Sequence, residues 1–283
     1  MKIPPRLQPL VDDGLVDEVV ERLTSGKEAD VYVVRCGSEL RCAKVYKDAL
    51  QRSFKKATLY REGRRERSSR RARAMEKGSR FGRAQQEERW QSAELEALRR
   101  LAEAGVRVPR TYGVLDGVLL MELVRDEDGD VAPRLADVTM DEEQAVEDFT
   151  VLLSFVVRML CAGLVHGDLS EFNVLVDADG PVIIDLPQAV DAAANQSARA
   201  MLLRDVANLR DYYGQFAPEL LGTRYGEEIW ARYEAGELHP ELTLTGDWAD
   251  PEDAADVDAV LAEIQAAIDE EEARRQRMAD EDD

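Results

Sequence analysis

The chain has little cysteine: three in 283 residues (Cys36, Cys42 and Cys161), an odd number with no CxxC spacing. This argues against a disulfide framework or a thiolate zinc site and fits a reducing cytosol. Aromatic residues make up 6% against 45% hydrophobic residues, so a sizeable core can form and it is mostly aliphatic. The N-terminal MKIPPRLQPL lacks the apolar core of a signal peptide. Long apolar runs are missing too. The longest, residues 151–165, carries Arg158 and is too short to span a bilayer, so it reads as a buried helix. The expectation is a cytoplasmic protein without membrane contact.

What is present in excess is negative charge, a net -21, unevenly spread. Residues 51–90 hold 14 Lys and Arg against 5 Asp and Glu, whereas residues 246–283 hold 15 acidic residues against 3 Arg. An acidic chain thus carries one basic insert, about 47–85, and ends in an acidic tail, 246–283.

Residues 14–34 read as two β-rich runs around a Thr-Ser-Gly turn, and 39–46 as a third strand. Residues 47–83 have few apolar side chains and read as a loop insert with some helix. Over 85–104 the spacing is helical, with Trp90, Ala93, Ala97, Leu98 and Leu101 on one face and Gly105 as the stop. Strands at 110–114 and 117–124 flank an Asp-Gly turn. A helix over 141–165 follows, then a hairpin (174–176 and 181–184) around Asp179-Gly180, then helices near 195–213 and 225–237. Strands come first and helices second. This predicts an α+β fold of two lobes, a β-rich one over 1–124 and an α-rich one over 125–245, before the tail.

The most specific segment is His166-Gly167-Asp168-Leu169-Ser170-Glu171-Phe172-Asn173, with Asp185 twelve residues beyond Asn173. Phosphoryl transfer asks a protein for positioning, a base near the accepting hydroxyl, and metals on the phosphates. Asp168 is placed to orient or deprotonate that hydroxyl. Asn173 lies one turn on, and Asp185 ends an apolar strand, so both can offer hard oxygen ligands of the kind Mg²⁺ takes. His166 reads as a packing and hydrogen-bonding residue. Lys44, inside the apolar strand Ala43-Lys44-Val45-Tyr46, is costly to bury unpaired, so it is expected to hold ATP phosphates and pair with a helix glutamate. Glu94 is the first candidate, with Glu96 and Glu88 as competitors. The glycine turn at Gly26 can bring backbone N–H groups to phosphates, or be a plain hairpin turn; it is neither a Walker A nor a full GxGxxG sequence.

At these residues the chain resembles the RIO family of atypical protein kinases, over about residues 14–215. SGKEADVY resembles its nucleotide loop, HGDLSEFNVL its catalytic loop, IIDLPQAV its metal-binding IDxxQ segment, and Trp90 with Glu94 the start of its helix C. The resemblance implies a trimmed kinase-like fold without activation loop or APE segment. It implies that Ser25 and Lys27 touch phosphates, that Lys44 and Glu94 pair, and that Met121, Glu122 and Leu123 form the hinge facing adenine. Asp168 would be the catalytic base, and Asn173 and Asp185 the metal ligands. ATP with Mg²⁺ or Mn²⁺, and a protein hydroxyl including the chain's own, are the implied partners. Residues 47–85 match the family's insert between the third strand and helix C. Pro187 stands where the family commonly has Ser. Family members act in small-subunit ribosome maturation, and some turn over ATP through a phospho-aspartate at the metal-binding Asp. The Ala- and Arg-rich composition suggests a bacterial member.

Three functions stay in view: a RIO-type serine/threonine kinase or ATPase, a small-molecule kinase of the aminoglycoside or choline type, and a nucleotide-binding scaffold on RNA or the ribosome. The short spacing from Asn173 to Asp185 and the GKEADVY loop argue against the second. The basic insert is either an RNA contact or a solvated loop. The tail carries Val257, Val260, Leu261, Ile264 and Ile268 on one helical stripe.

Overall fold

The computed structural model describes residues 3–26, 29–47, 93–186 and 188–249. Lys27, Pro187, the basic insert beyond residue 47 with Trp90, and the tail from 250 lie outside the described residues, so the expectations placed on them rest on sequence.

Five strands form one antiparallel sheet: β1 (Glu18–Ser25), β2 (Ala29–Cys36), β3 (Glu39–Tyr46), β4 (Thr111–Leu115) and β5 (Val118–Glu122), in the order β1-β2-β3-β5-β4. Side chains alternate between faces along a strand and share a face across a register pair. Val31 opposes Lys44, Val33 opposes Cys42, and Cys42 opposes Met121, so these residues make one face. Tyr32, Val34, Ala43, Val45, Val118 and Leu120 make the other. That second face is covered by Leu10 of a short helix, α1 (Gln8–Asp12), and by Leu7 and Val16 on either side of it. Five residues are too few to show a helical period, so α1 is not legible from residue spacing. At the β4–β5 turn Asp116 and Gly117 have φ of 45° and 79°, the left-handed pair that Asp-Gly supplies in a two-residue hairpin.

A helix occupies 93–103 (α2) and buries Ala97, Leu98 and Leu101. These join Tyr46 and Leu119 of the sheet to Phe149 and Leu152 of α3 (Glu142–Cys161) in one continuous core. Asp141 caps α3, its carboxylate accepting the Gln144 N–H at 2.9 Å. The helix ends four residues short of the expected 165. Gly163 turns the chain at φ 74°, and β6 (Leu164–Val165) then pairs with β9 (Val190–Asp191). In the hairpin of β7 (Val174–Asp177) and β8 (Gly180–Ile183) the turn is Ala178-Asp179, one residue earlier than expected, because Gly180 pairs with Asp177. Two helices, α4 (Ala198–Tyr213) and α5 (Tyr225–Glu234), follow. Residues 186–197 alone separate Asp185 from α4, and β9 lies within them, so the stretch is as short as the trimmed fold requires. Among the described residues no helix is long and apolar enough to cross a membrane.

Candidate active site

Lys44 lies on the face of the sheet that Tyr46 and Leu119 pack against α2, with its side chain 8% exposed. An ammonium there needs partners, and it has two: Glu94 Oε1 at 2.7 Å and Asp185 Oδ1 at 2.6 Å. Helical spacing explains the choice among glutamates. Glu94 lies three, four and seven residues before Ala97, Leu98 and Leu101, on the buried stripe, whereas Glu96 is exposed and Glu88 is outside the described residues. The second oxygen of Glu94 accepts the Tyr46 hydroxyl. Tyr46 sits two residues beyond Lys44 on the same face, and its role went unread in the sequence. Burial and the Glu94 charge push its phenol up, so it remains a donor.

Burial alone would lower the Lys44 pKa, but Asp185 and Glu94 outweigh it and hold the ammonium well above its ordinary value. Burial would raise Asp185, but the charge and hydrogen bond of Lys44 hold its carboxyl below the usual range. Asp185 also has φ 64°, a left-handed conformation that costs a non-glycine residue about 1–2 kcal/mol and that clusters at functional sites.

Asp168 is half-buried, and its Oδ2 accepts from Gln188 Nε2 at 3.3 Å. Asn173 Nδ2 donates to the Asp168 carbonyl at 2.8 Å. His166 fastens the loop, as expected: its Nδ1 accepts the Asp168 N–H at 3.3 Å, and its Nε2 meets the Ile184 carbonyl at 3.1 Å, next to Asp185. The hard oxygens of Asn173 and Asp185 fit a Mg²⁺ ion completed by substrate phosphates.

The loop is held from below by α4. Asp205 accepts the Gly167 N–H at 2.7 Å and the Leu169 N–H at 3.0 Å, Arg204 donates to the Gly167 carbonyl, and Asn208 donates to the Leu169 carbonyl at 2.9 Å. The available signal was an acid on the apolar stripe of Met201, Leu202, Val206 and Leu209. Burial raises the Asp205 pKa to about 6 although both N–H groups oppose it. A raised pKa means the folded state holds the proton more tightly. The associated stability is present below the ordinary carboxylate value and is lost as pH rises through about 6. The difference in unfolding temperature between wild type and Asp205→Asn is therefore expected to favour wild type more at pH 5 than at pH 7.5. A difference that does not vary with pH would contradict the raised value.

The glycine turn between β1 and β2 is held by its own contacts. Ser25 Oγ donates to Asp30 at 2.5 Å, and the Gly26 N–H closes the hairpin on the Ala29 carbonyl at 2.9 Å. Lys47 clamps this tip through the Gly26 carbonyl at 2.7 Å and Asp30 at 3.2 Å. Lys27 is outside the described residues. In the connector, Met121 lies against Val33 and Cys42, Leu123 is buried with them, and the exposed Glu122 accepts the Arg110 N–H at 3.0 Å.

Residues 30–225 match the RIO domain family. The chain is 35% identical over 210 residues to the RIO-type serine/threonine-protein kinase Rio1 of Haloferax volcanii, covering 72% of this chain and 66% of that protein. It is 32% identical over 197 residues to Rio1 of Methanocaldococcus jannaschii (69% and 63% covered), and 30% identical over 218 residues to human RIO1 (75% and 36% covered). It thus spans about two thirds of the archaeal proteins and about one third of the human one. The fold is similar to the Rio2 kinase from Chaetomium thermophilum, solved as an ADP/Mg²⁺-phosphoaspartate complex: TM-score 0.58 at 22% identity, covering 93% of this chain and 75% of that one.

Proposed function

The chain belongs to the RIO domain family, and from that premise we propose that it is an ATP- and Mg²⁺-dependent serine/threonine protein kinase. The observation that carries this reading is the buried Lys44 joined at once to Glu94 and Asp185. Phosphoryl transfer is catalysed by positioning and by charge aimed at the phosphates. In this reading Lys44 draws the α and β phosphates, while Glu94 and Tyr46 fix its direction. Adenine lies under Val31, Val33 and Cys42 with Met121, Glu122 and Leu123 as hinge. Asn173 and Asp185 hold Mg²⁺, which neutralises phosphate charge when bound. Asp168 accepts the proton of a protein hydroxyl as that oxygen bonds to the γ-phosphorus and the bond to the β–γ bridging oxygen breaks. Ser25 and Lys27 add phosphate contacts, and a phosphate would have to take the Ser25 hydroxyl from Asp30. Residues 1–124 and 125–245 are the two lobes.

A protein hydroxyl, on the chain itself or on a partner, is the acceptor. The basic insert is read as a contact for RNA or the small ribosomal subunit, and the source as a cytoplasmic bacterial protein. The test is thermal unfolding with ATP. Millimolar ATP raises the unfolding temperature by several degrees with Mg²⁺ and much less with EDTA. An equal rise in both would remove the metal from the reading.

A further inference from the structure

The Gln188 side chain is buried, and the two ends of its amide are unequally satisfied. Nε2 donates to Asp168 Oδ2 at 3.3 Å. Oε1 is buried and, among the described residues, without a hydrogen-bond partner. Turned over, the amide would set its oxygen against a carboxylate oxygen, so the donor faces the one group there that accepts.

Strand pairing explains how Gln188 reaches Asp168. In β6 and β9, Leu164 pairs with Asp191 and Val165 with Val190. Carried just past the strand ends, that antiparallel register sets residue 188 level with 167, beside Asp168. Buried Leu186, Ala189 and Val190 anchor the segment on both sides, and the Ala189 N–H closes a turn on the Leu186 carbonyl at 3.1 Å. The main chain of Asp168 is held separately, its N–H by His166 and its carbonyl by Asn173. Neither contact fixes rotation about the Asp168 side-chain bonds, whereas the bond from Gln188 does. Stability does not account for an amide at this position. A buried acceptor without a partner is costly, and an unbranched apolar side chain of the same length avoids that cost.

We infer that Gln188 is a positioning residue, holding the Asp168 carboxylate in the orientation that meets the acceptor hydroxyl. The inference rests on the reading of Asp168 as the base for transfer to a protein hydroxyl. A base acts only within hydrogen-bond reach of the proton it takes, and a small misplacement costs much of the rate.

The experiment follows labelled phosphate from γ-labelled ATP with Mg²⁺ onto the chain itself and onto added casein. Wild type, Asp168→Asn, Gln188→Met and the double variant are compared. Gln188→Met is expected to lower kcat about tenfold or more with KM for ATP unchanged. Its unfolding temperature should equal or exceed that of wild type, because the unpaired acceptor is gone. The double variant should be no slower than Asp168→Asn, since the amide acts through that carboxylate. If Gln188→Met fails to fold, Gln188→Leu takes its place. A merely structural role would instead lower the unfolding temperature and weaken Mg-ATP affinity, because the same segment carries Asp185. That outcome, wild-type kcat in Gln188→Met, or losses that multiply in the double variant would overturn the inference and leave Asp168 as the base. No transfer by wild type, or transfer by Asp168→Asn at the wild-type rate, would overturn the kinase reading and the inference with it.

Discussion

Lys44→Met is expected to reduce ATP turnover by about a hundredfold or more and to lower the unfolding temperature by roughly 5–10 °C. The two effects have different origins. Turnover falls because no other described cation takes the place between Glu94 and Asp185. Stability falls because Glu94, 1% exposed, keeps only the Tyr46 hydroxyl as a partner among the described residues. Breaking a buried pair from one side costs about 3 kcal/mol or more. Asp185 contributes less, since its side chain is 42% exposed and solvent screens it. A second substitution separates the two effects. Lys44→Met with Glu94→Gln removes the uncompensated charge, so most of the stability returns while turnover stays lost. Turnover that recovered along with stability would show Lys44 to be a structural residue.

Asp185→Asn should remove the metal-dependent part of ATP affinity, by at least about tenfold, and leave affinity in EDTA nearly unchanged. Asparagine is the informative replacement because it tolerates the left-handed φ of 64° better than other residues. Alanine would add backbone strain and confuse the readout. Lys44 keeps the wild-type carboxyl ionised through the neutral range, so it can meet a cation without a proton to release. Isothermal titration with and without Mg²⁺ measures the split. Full metal-dependent affinity in Asp185→Asn would assign the metal elsewhere.

The parts of this site that were legible in the sequence are those fixed by local spacing. Asp168 and Asn173 share one turn, Asp185 ends a strand, and Lys44 interrupts an apolar one. The choice of Glu94 over Glu96 was also available, because only Glu94 falls on the stripe of Ala97, Leu98 and Leu101. What was not legible depends on which elements meet. Asp205 reaches Gly167 and Leu169 from 38 and 36 residues away. Tyr46 looks like any strand aromatic until α2 brings Glu94 to it. Ser25 faces Asp30 because the two are register partners in the hairpin, which the motif alone does not reveal. In the fold, strand and helix order followed from periodicity. The helix α3 ends early because the chain after Gly163 pairs with β9, and the β7–β8 turn falls one residue earlier because Gly180 pairs with Asp177 across it.

In the proposed function Asp168 serves transfer of the γ-phosphoryl group to a protein hydroxyl. It is tested most directly with γ-labelled ATP and Mg²⁺, wild type beside Asp168→Asn. Label on protein is tested for stability to acid and to hydroxylamine. Wild type is expected to carry acid-stable, hydroxylamine-resistant label, and Asp168→Asn to lose about a hundredfold or more of it, with Mg-ATP binding retained. Label transfer by Asp168→Asn near the wild-type rate, or wild-type label that hydroxylamine removes, would contradict it.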